Sequence, residues 1–422
     1  MADIVEAVLW VVHAVLWIVA GCVALCWLYP FLVAFHVHRQ NEAAEDQAKS
    51  GPGELTKGSN ESVTSGSVLR IRVTDDGELC RRSELADATY AIRHHKEGRP
   101  EPVLAVWYIH GWRHSPRDGD SDLGKFKGLV ERLRDSQNAP FFKRRRHVVG
   151  IYVGWNAALG PRGLDLLTFW NRKRAADRIS QSAIVTKALC ATRHARKKEG
   201  CADDMTILIG HSFGARILFS AISQLVIDEV EHKHPGLHNV AYQRIEGPAD
   251  LVLLMNPAFE ASMFTALHAL RRDYEWERPD KEQQPKVLAI SSQADGATKV
   301  LFPLGQFVAL GTRKRERQTL GNYSDYVTHD LTRSCEWEKK SDFWYDHFEA
   351  DGLLLLHRME RRPPIHKGAS HWGNPFIVAR TTGDIIKNHN DIWNDSLRDW
   401  IVSFIDKMER VSQRADTEHR SP

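Results

Sequence analysis

The chain has 422 residues, 42% of them hydrophobic and 26% charged, with a formal net charge of +3; these are the proportions of a globular protein with one large domain or two small ones. Basic clusters at 143–146, 193–198 and 313–317 are interleaved with acids, which excludes nucleic acid as an expected partner and leaves solvated faces, or contact with an anionic membrane surface, as their readings. The six cysteines have neither metal-ligand spacing nor the density of a disulfide framework.

From residue 7 to residue 35 there is no Asp, Glu, Lys or Arg. A helix of that length spans about 43 Å, more than the ~30 Å hydrocarbon core of a bilayer. Residues 1–39 are therefore expected to form a single-pass transmembrane anchor, with Trp10, Trp17, Trp27 and Tyr29 along it and Pro30 near its exit. A cleaved signal peptide is the rival reading, but Asp3 and Glu6 stand where a basic region belongs, and the run is too long. Val19-Ala20-Gly21-Cys22 resembles a bacterial lipoprotein processing site, yet the apolar stretch continues well past Cys22. Arg39, Lys49 and Lys57 follow the span and no Lys or Arg precedes it, which favours a cytoplasmic globular domain. Residues 40–67, rich in Gly, Ser, Glu, Asn and Lys, read as a flexible linker.

The globular domain is expected over 68–412, with 413–422 a disordered tail. It opens with a short alternating run at 68–73, the pattern of an edge strand. Apolar runs at 103–109, 148–153, 205–209, 251–255, 287–290 and 376–379 are then separated by longer amphipathic segments. Strands spaced by helical patterns predict an α/β class: a doubly wound, mostly parallel sheet with helices on both faces, here preceded by the transmembrane helix. Leu397, Trp400, Ile401, Phe404, Ile405 and Met408 mark a last amphipathic helix.

Gly210-His211-Ser212-Phe213-Gly214 lies where the run 205–209 meets a helical pattern with Ile217, Leu218, Ala221, Ile222 and Leu225 on one face. At such a strand-to-helix turn, Gly210 and Gly214 relieve crowding, the Ser212 hydroxyl projects, and the Phe213 N–H points toward a developing oxyanion. A serine hydroxyl needs a base, and the base needs a group that fixes its tautomer.

With these parts in place the chain resembles the α/β-hydrolase fold over about residues 68–410. The family's order of nucleophile, acid, histidine is met by Ser212, by Asp295 after the run 287–290, and by His389 after the run 376–379. His329, His347, His366 and His371 compete with His389, and Asp250, Asp384 and Asp391 compete with Asp295. The resemblance implies a second oxyanion donor in the Trp112 N–H after His110-Gly111, with His110 supporting that loop. A further similarity, to uncharacterised membrane-anchored bacterial α/β hydrolases, rests on Gly150-Ile151-Tyr152-Val153-Gly154-Trp155 and on Leu166-Leu167-Thr168-Phe169-Trp170-Asn171-Arg172-Lys173.

The stretch 299–374 is long for a connection and rich in aromatics, so a lid over the substrate is expected there. The expected activity is that of a membrane-anchored serine hydrolase acting on a small-molecule or lipid-like ester, thioester or amide, without metal or organic cofactor. A non-catalytic binding protein of the same fold and an acyltransferase are the alternatives.

Overall fold

The computed structural model describes residues 68–96, 98–139, 145–158, 165–197, 203–233, 245–273, 284–303, 313–334, 347–357 and 375–418, together with the helical positions His13, Trp17 and Gly21. The chain divides into two units, Met1–Ser62 and Val63–Pro422. Apart from those three positions, the anchor expected over 1–39 and the linker over 40–67 lie outside the described residues. Among the described residues no helix is long and apolar enough to cross a membrane.

In chain order the strands are β1 (Leu69–Arg72), the small hairpin β2 (His95–Lys96) and β3 (Arg99–Pro100), β4 (Val103–Ile109), β5 (His147–Gly154), β6 (Met205–His211), β7 (Leu251–Met255), β8 (Val287–Ser292), β9 (His329–Arg333), β10 (His347–Ala350), β11 (Leu353–His357) and β12 (Phe376–Thr381). Outside the hairpin they form one sheet in the order β1-β5-β4-β6-β7-β8-β12-β9-β11-β10. Every neighbouring pair from β1 to β9 along that order is parallel, and only the last two pairings are antiparallel. The apolar runs become strands because both faces of a parallel sheet are covered, so each residue must be apolar whichever way it points.

Alternation along β4 shows the two faces. Val103, Ala105, Trp107 and Ile109 join one core with α1 (Arg82–Ile92), α3 (Asp165–Gln181), α4 (Ile184–Lys197) and α5 (Phe213–Lys233). Leu104, Val106 and Tyr108 join the other, beneath α2 (Ser121–Gln137) and the last helix, α7 (Asp395–Glu418). On α7 the face expected from Leu397 to Met408 is the buried one. A further helix, α6 (Thr265–Asp273), packs on the α5 side. The chain is thus a mostly parallel α/β sheet with helices on both faces.

The strand order reverses at one place that matters. From β4 the chain moves outward to β5, then returns to lay β6 on the opposite side of β4. The switch point of the sheet therefore lies between the ends of β4 and β6, the general location of ligands in open α/β sheets.

Within the stretch read as a lid, β9, β10 and β11 are strands that extend the sheet past β12, because the Leu353-Leu354-Leu355-Leu356 run is buried by sheet pairing and by Phe348, Trp400 and Phe404. Residues 304–312, 335–346 and 358–374 of that stretch lie outside the described ones. The tail expected from 413 is helical through Glu418, since no Gly or Pro interrupts α7.

Candidate active site

Ser212 occupies the single-residue turn between β6 and α5, at φ 55°, a left-handed conformation that costs a non-glycine residue energy. The turn is pinned on both sides: the Ser212 N–H donates to the Met255 carbonyl, and its own carbonyl accepts from Ala258 N–H. Close packing explains the flanking glycines. A Cβ at Gly210 would stand 2.7 Å from Ala215 Cα, and one at Gly214 would stand 2.6 Å from the His110 carbonyl oxygen.

The structure brings His389 and Asp295 to this serine from two other strand ends. His389 Nε2 lies 2.6 Å from Ser212 Oγ, and His389 Nδ1 lies 2.7 Å from Asp295 Oδ2. Asp295 is fully buried after β8, and its Oδ1 accepts from the N–H groups of Ala297 and Thr298. Burial pushes its carboxyl up, but the adjacent His389 ring and the Thr298 donors outweigh this and hold it below the usual carboxylate range. An ionised Asp295 fixes the proton of His389 on Nδ1, leaving Nε2 to accept from the serine hydroxyl.

The competing residues stand elsewhere in the fold. His329 is buried within β9 with Nδ1 beside the Thr328 hydroxyl, and His347 begins β10. Asp384 pairs with Arg333, Asp391 accepts from Lys387 N–H, and Asp250 accepts from Thr206 N–H. His366 and His371 lie outside the described residues.

The loop after β4 closes over the serine. A Cβ at Gly111 would stand 2.8 Å from Ser212 Cβ, so only glycine admits this approach. His110 is fully buried, and both of its nitrogens are committed: Nδ1–H donates to the Gly111 carbonyl and Nε2 accepts from Trp155 N–H, while the Trp155 indole N–H donates to the His110 carbonyl. Burial pushes the His110 ring down to about 4. It is thus a neutral strut, and its partner is the tryptophan of the Gly150 to Trp155 motif. Beyond it, Trp112 and Phe213 meet through Phe169 of α3, whose ring centroid lies 5.1 Å from that of Trp112 and 5.0 Å from that of Phe213. Lys173 and Arg216 hold α3 to α5 through Asp177 and Glu260.

Sequence reasoning missed a third layer. The His389 loop is tied to α2 and β4 by Asp122, whose buried carboxylate accepts from the Trp393 indole and from the Tyr108 hydroxyl. The His389 carbonyl accepts from His211 Nε2–H at 2.9 Å and from Asn256 Nδ2–H at 3.0 Å. Asn256 itself sits at φ 42°, a position where asparagine is tolerated better than most residues. Its only sequence signal is an isolated polar residue directly after the apolar run of β7. Among the described residues no group of three or more His, Cys, Asp or Glu side chains is placed to hold a metal ion.

No protein-family model matches the chain, and no curated protein is similar to it. Among solved structures it is similar to a protein from Xanthomonas campestris, described as a member of the α/β serine hydrolases without a lid. The TM-score is 0.18 and the identity 14%, over 52% of this chain and 71% of that one. Likeness at that level carries no weight, and the site rests on its own geometry.

Proposed function

We propose that this protein is a serine hydrolase of the α/β-hydrolase type that cleaves a carboxylic ester through an acyl-enzyme. The observation that carries this reading is the hydrogen-bonded chain Ser212–His389–Asp295, with the serine held at φ 55° on a strand-to-helix turn. In the mechanism, His389 Nε2 takes the Ser212 proton as Oγ attacks the substrate carbonyl carbon. The carbonyl oxygen gains charge and accepts from the N–H groups of Phe213 and Trp112, helped by the positive N-terminal end of α5. The protonated His389 then donates to the leaving alkoxide. Water repeats the sequence on the acyl-enzyme and frees the acid. Thioesters and amides would follow the same steps.

The charge-free run 7–35 supports a location at a membrane, with the hydrolase domain on the cytoplasmic side and a lipid-like acyl substrate. Two measurements test the reading. A fluorophosphonate probe should label the native protein and leave Ser212→Ala unlabelled, and equal labelling of both would exclude Ser212 as the nucleophile. The full chain should stay with membranes through an alkaline carbonate wash and be released when residues 1–39 are deleted; release of the full chain would exclude the anchor.

A further inference from the structure

His389 sits on a loop between β12 and α7, and a loop gives a base no rigid ladder to hold it. The surrounding contacts show what holds it instead. Its backbone carbonyl is the meeting point of two side-chain donors that come from neighbouring strand ends, His211 at the end of β6 and Asn256 just past β7. Each donor is itself fixed. His211 is buried and adjoins the serine in sequence, and its ring lies 5.0 Å from the His389 ring. Asn256 is fully buried, accepts at Oδ1 from Ser292 N–H, and donates its backbone N–H to the Ile290 carbonyl. Ser292 completes the frame by donating its hydroxyl to the Ile386 carbonyl in the same loop.

We propose that His211 and Asn256 are positioning residues: their two donors clamp the His389 carbonyl, and the clamp sets the imidazole within reach of Ser212 and Asp295 at once. The proposal rests on the hydrolase reading of the site. Three features carry it. First, the two donors act on one acceptor from two directions, which fixes the carbonyl in space as a single bond would not. Second, Asn256 takes a left-handed backbone, so the fold accepts a strained residue where only a side chain with donor and acceptor in one amide meets both Ser292 and His389. Third, His211 has one possible tautomer. Its Nε2 must carry the proton to donate to a carbonyl, and its Nδ1 is buried without a partner among the described residues. Burial, with the nearby His389 ring, pushes His211 well below the usual histidine range, so its ring stays neutral with the proton on Nε2.

The clamp makes a prediction that packing alone does not. Asn256→Asp preserves size, backbone preference and the acceptor for Ser292, but turns an oxygen toward the His389 carbonyl. Its fluorophosphonate labelling rate and its kcat on a p-nitrophenyl ester should fall by about 100-fold, the loss expected when a reacting group moves by ~1 Å, with KM little changed. The added negative charge should also alter the pH–rate profile. His211→Gln, which keeps an N–H donor near the Nε2 position, should retain most of the activity that His211→Ala loses.

A readout independent of turnover is the downfield proton resonance of His389 Nδ1–H against Asp295, which should shift or broaden in Asn256→Asp and His211→Ala and persist in His211→Gln. Thermal unfolding of each variant reports the folded fraction to which rates and spectra are referred. Wild-type kinetics, pH profile and proton resonance in Asn256→Asp would overturn the proposal, as would equal losses in His211→Gln and His211→Ala. A wild-type protein that resists the probe while the resonance shifts as stated would overturn the hydrolase reading and leave the clamp standing.

Discussion

Gly214→Ala pits two well-characterised effects against each other. In the interior of an exposed helix, replacing Gly by Ala stabilises by about 1 kcal/mol, because Gly loses more backbone freedom on folding. Gly124, exposed near the start of α2, comes close to that case: among the described residues an added Cβ there has nothing within 4 Å. Gly214, in the first turn of α5, is the opposite case. Its Cβ would stand 2.6 Å from the His110 carbonyl oxygen, and nearer still to that of Ile109. A relaxed carbon–oxygen contact is about 1 Å longer, and overpacking of this kind costs roughly 1–3 kcal/mol. The upper end applies, since Ile109 is paired with Val153 on one side and Gly210 on the other and its carbonyl cannot swing away. The start of α5 must retreat from β4 instead, carrying the Phe213 N–H with it. Net destabilisation of about 2 kcal/mol is expected, with a labelling rate lower by about 100-fold from the displaced donor. Urea unfolding and the rate of fluorophosphonate labelling measure the two effects, with Gly124→Ala as the control that should gain stability and keep its rate. If Gly214→Ala is as stable as the native protein and labels at the native rate, the close approach of α5 to β4 does not set the geometry of the turn.

Asp295→Asn should fold and lose about four orders of magnitude in kcat. The Ala297 and Thr298 N–H groups hold the amide oxygen at the Oδ1 position, so the amide NH2 faces His389 Nδ1 and drives the ring proton to Nε2, where it blocks acceptance from Ser212; turnover within tenfold of native would refute this. The loop after Gly111 should respond to pH through His114 and Asp120, which lie 3.1 Å apart. Burial pushes His114 down, but Asp120 and Asp122 outweigh it and hold the ring above its ordinary 6.5. Burial pushes Asp120 up, but His114 and the N–H groups of Asp122 and Ser115 bring it to about 2. The raised histidine contributes stability fully below pH 6.5 and loses it as pH rises through the raised value. The depressed carboxylate contributes stability above 3.8 and loses it as pH falls toward about 2. The gap in thermal midpoint between the native protein and Asp120→Asn should therefore be widest between those limits and narrow on either side. A gap that is flat across them would exclude the pair as a pH-dependent tie.

The sheet's central strands were legible because each is a short, mainly apolar run bounded by polar segments, and the parallel pairing that buries both faces needs nothing subtler. The turn at Ser212 was legible for a related reason: Gly210 and Gly214 are dictated by contacts within a few residues of the chain or with the adjacent strand. Chain order also placed Asp295 and His389 after strands, where side chains emerge at the rim. What the sequence by itself did not determine was the choice among its 21 histidines, because a histidine in a strand, such as His329, looks the same in the alphabet as one in a loop. Tertiary structure made that choice through distance, bringing together side chains separated by 83 and 94 positions along the chain (212 to 295, 295 to 389). It also decided that Leu353 to Leu356 joins the sheet, since an apolar run inside an aromatic-rich stretch has no local signal of its partner. The clamp on His389, the His110–Trp155 pairing and the Asp122 tie belong to the same class. Each is a polar contact between distant segments, whose value comes from exclusion of water once the sheet has closed, and no local pattern of residues encodes it.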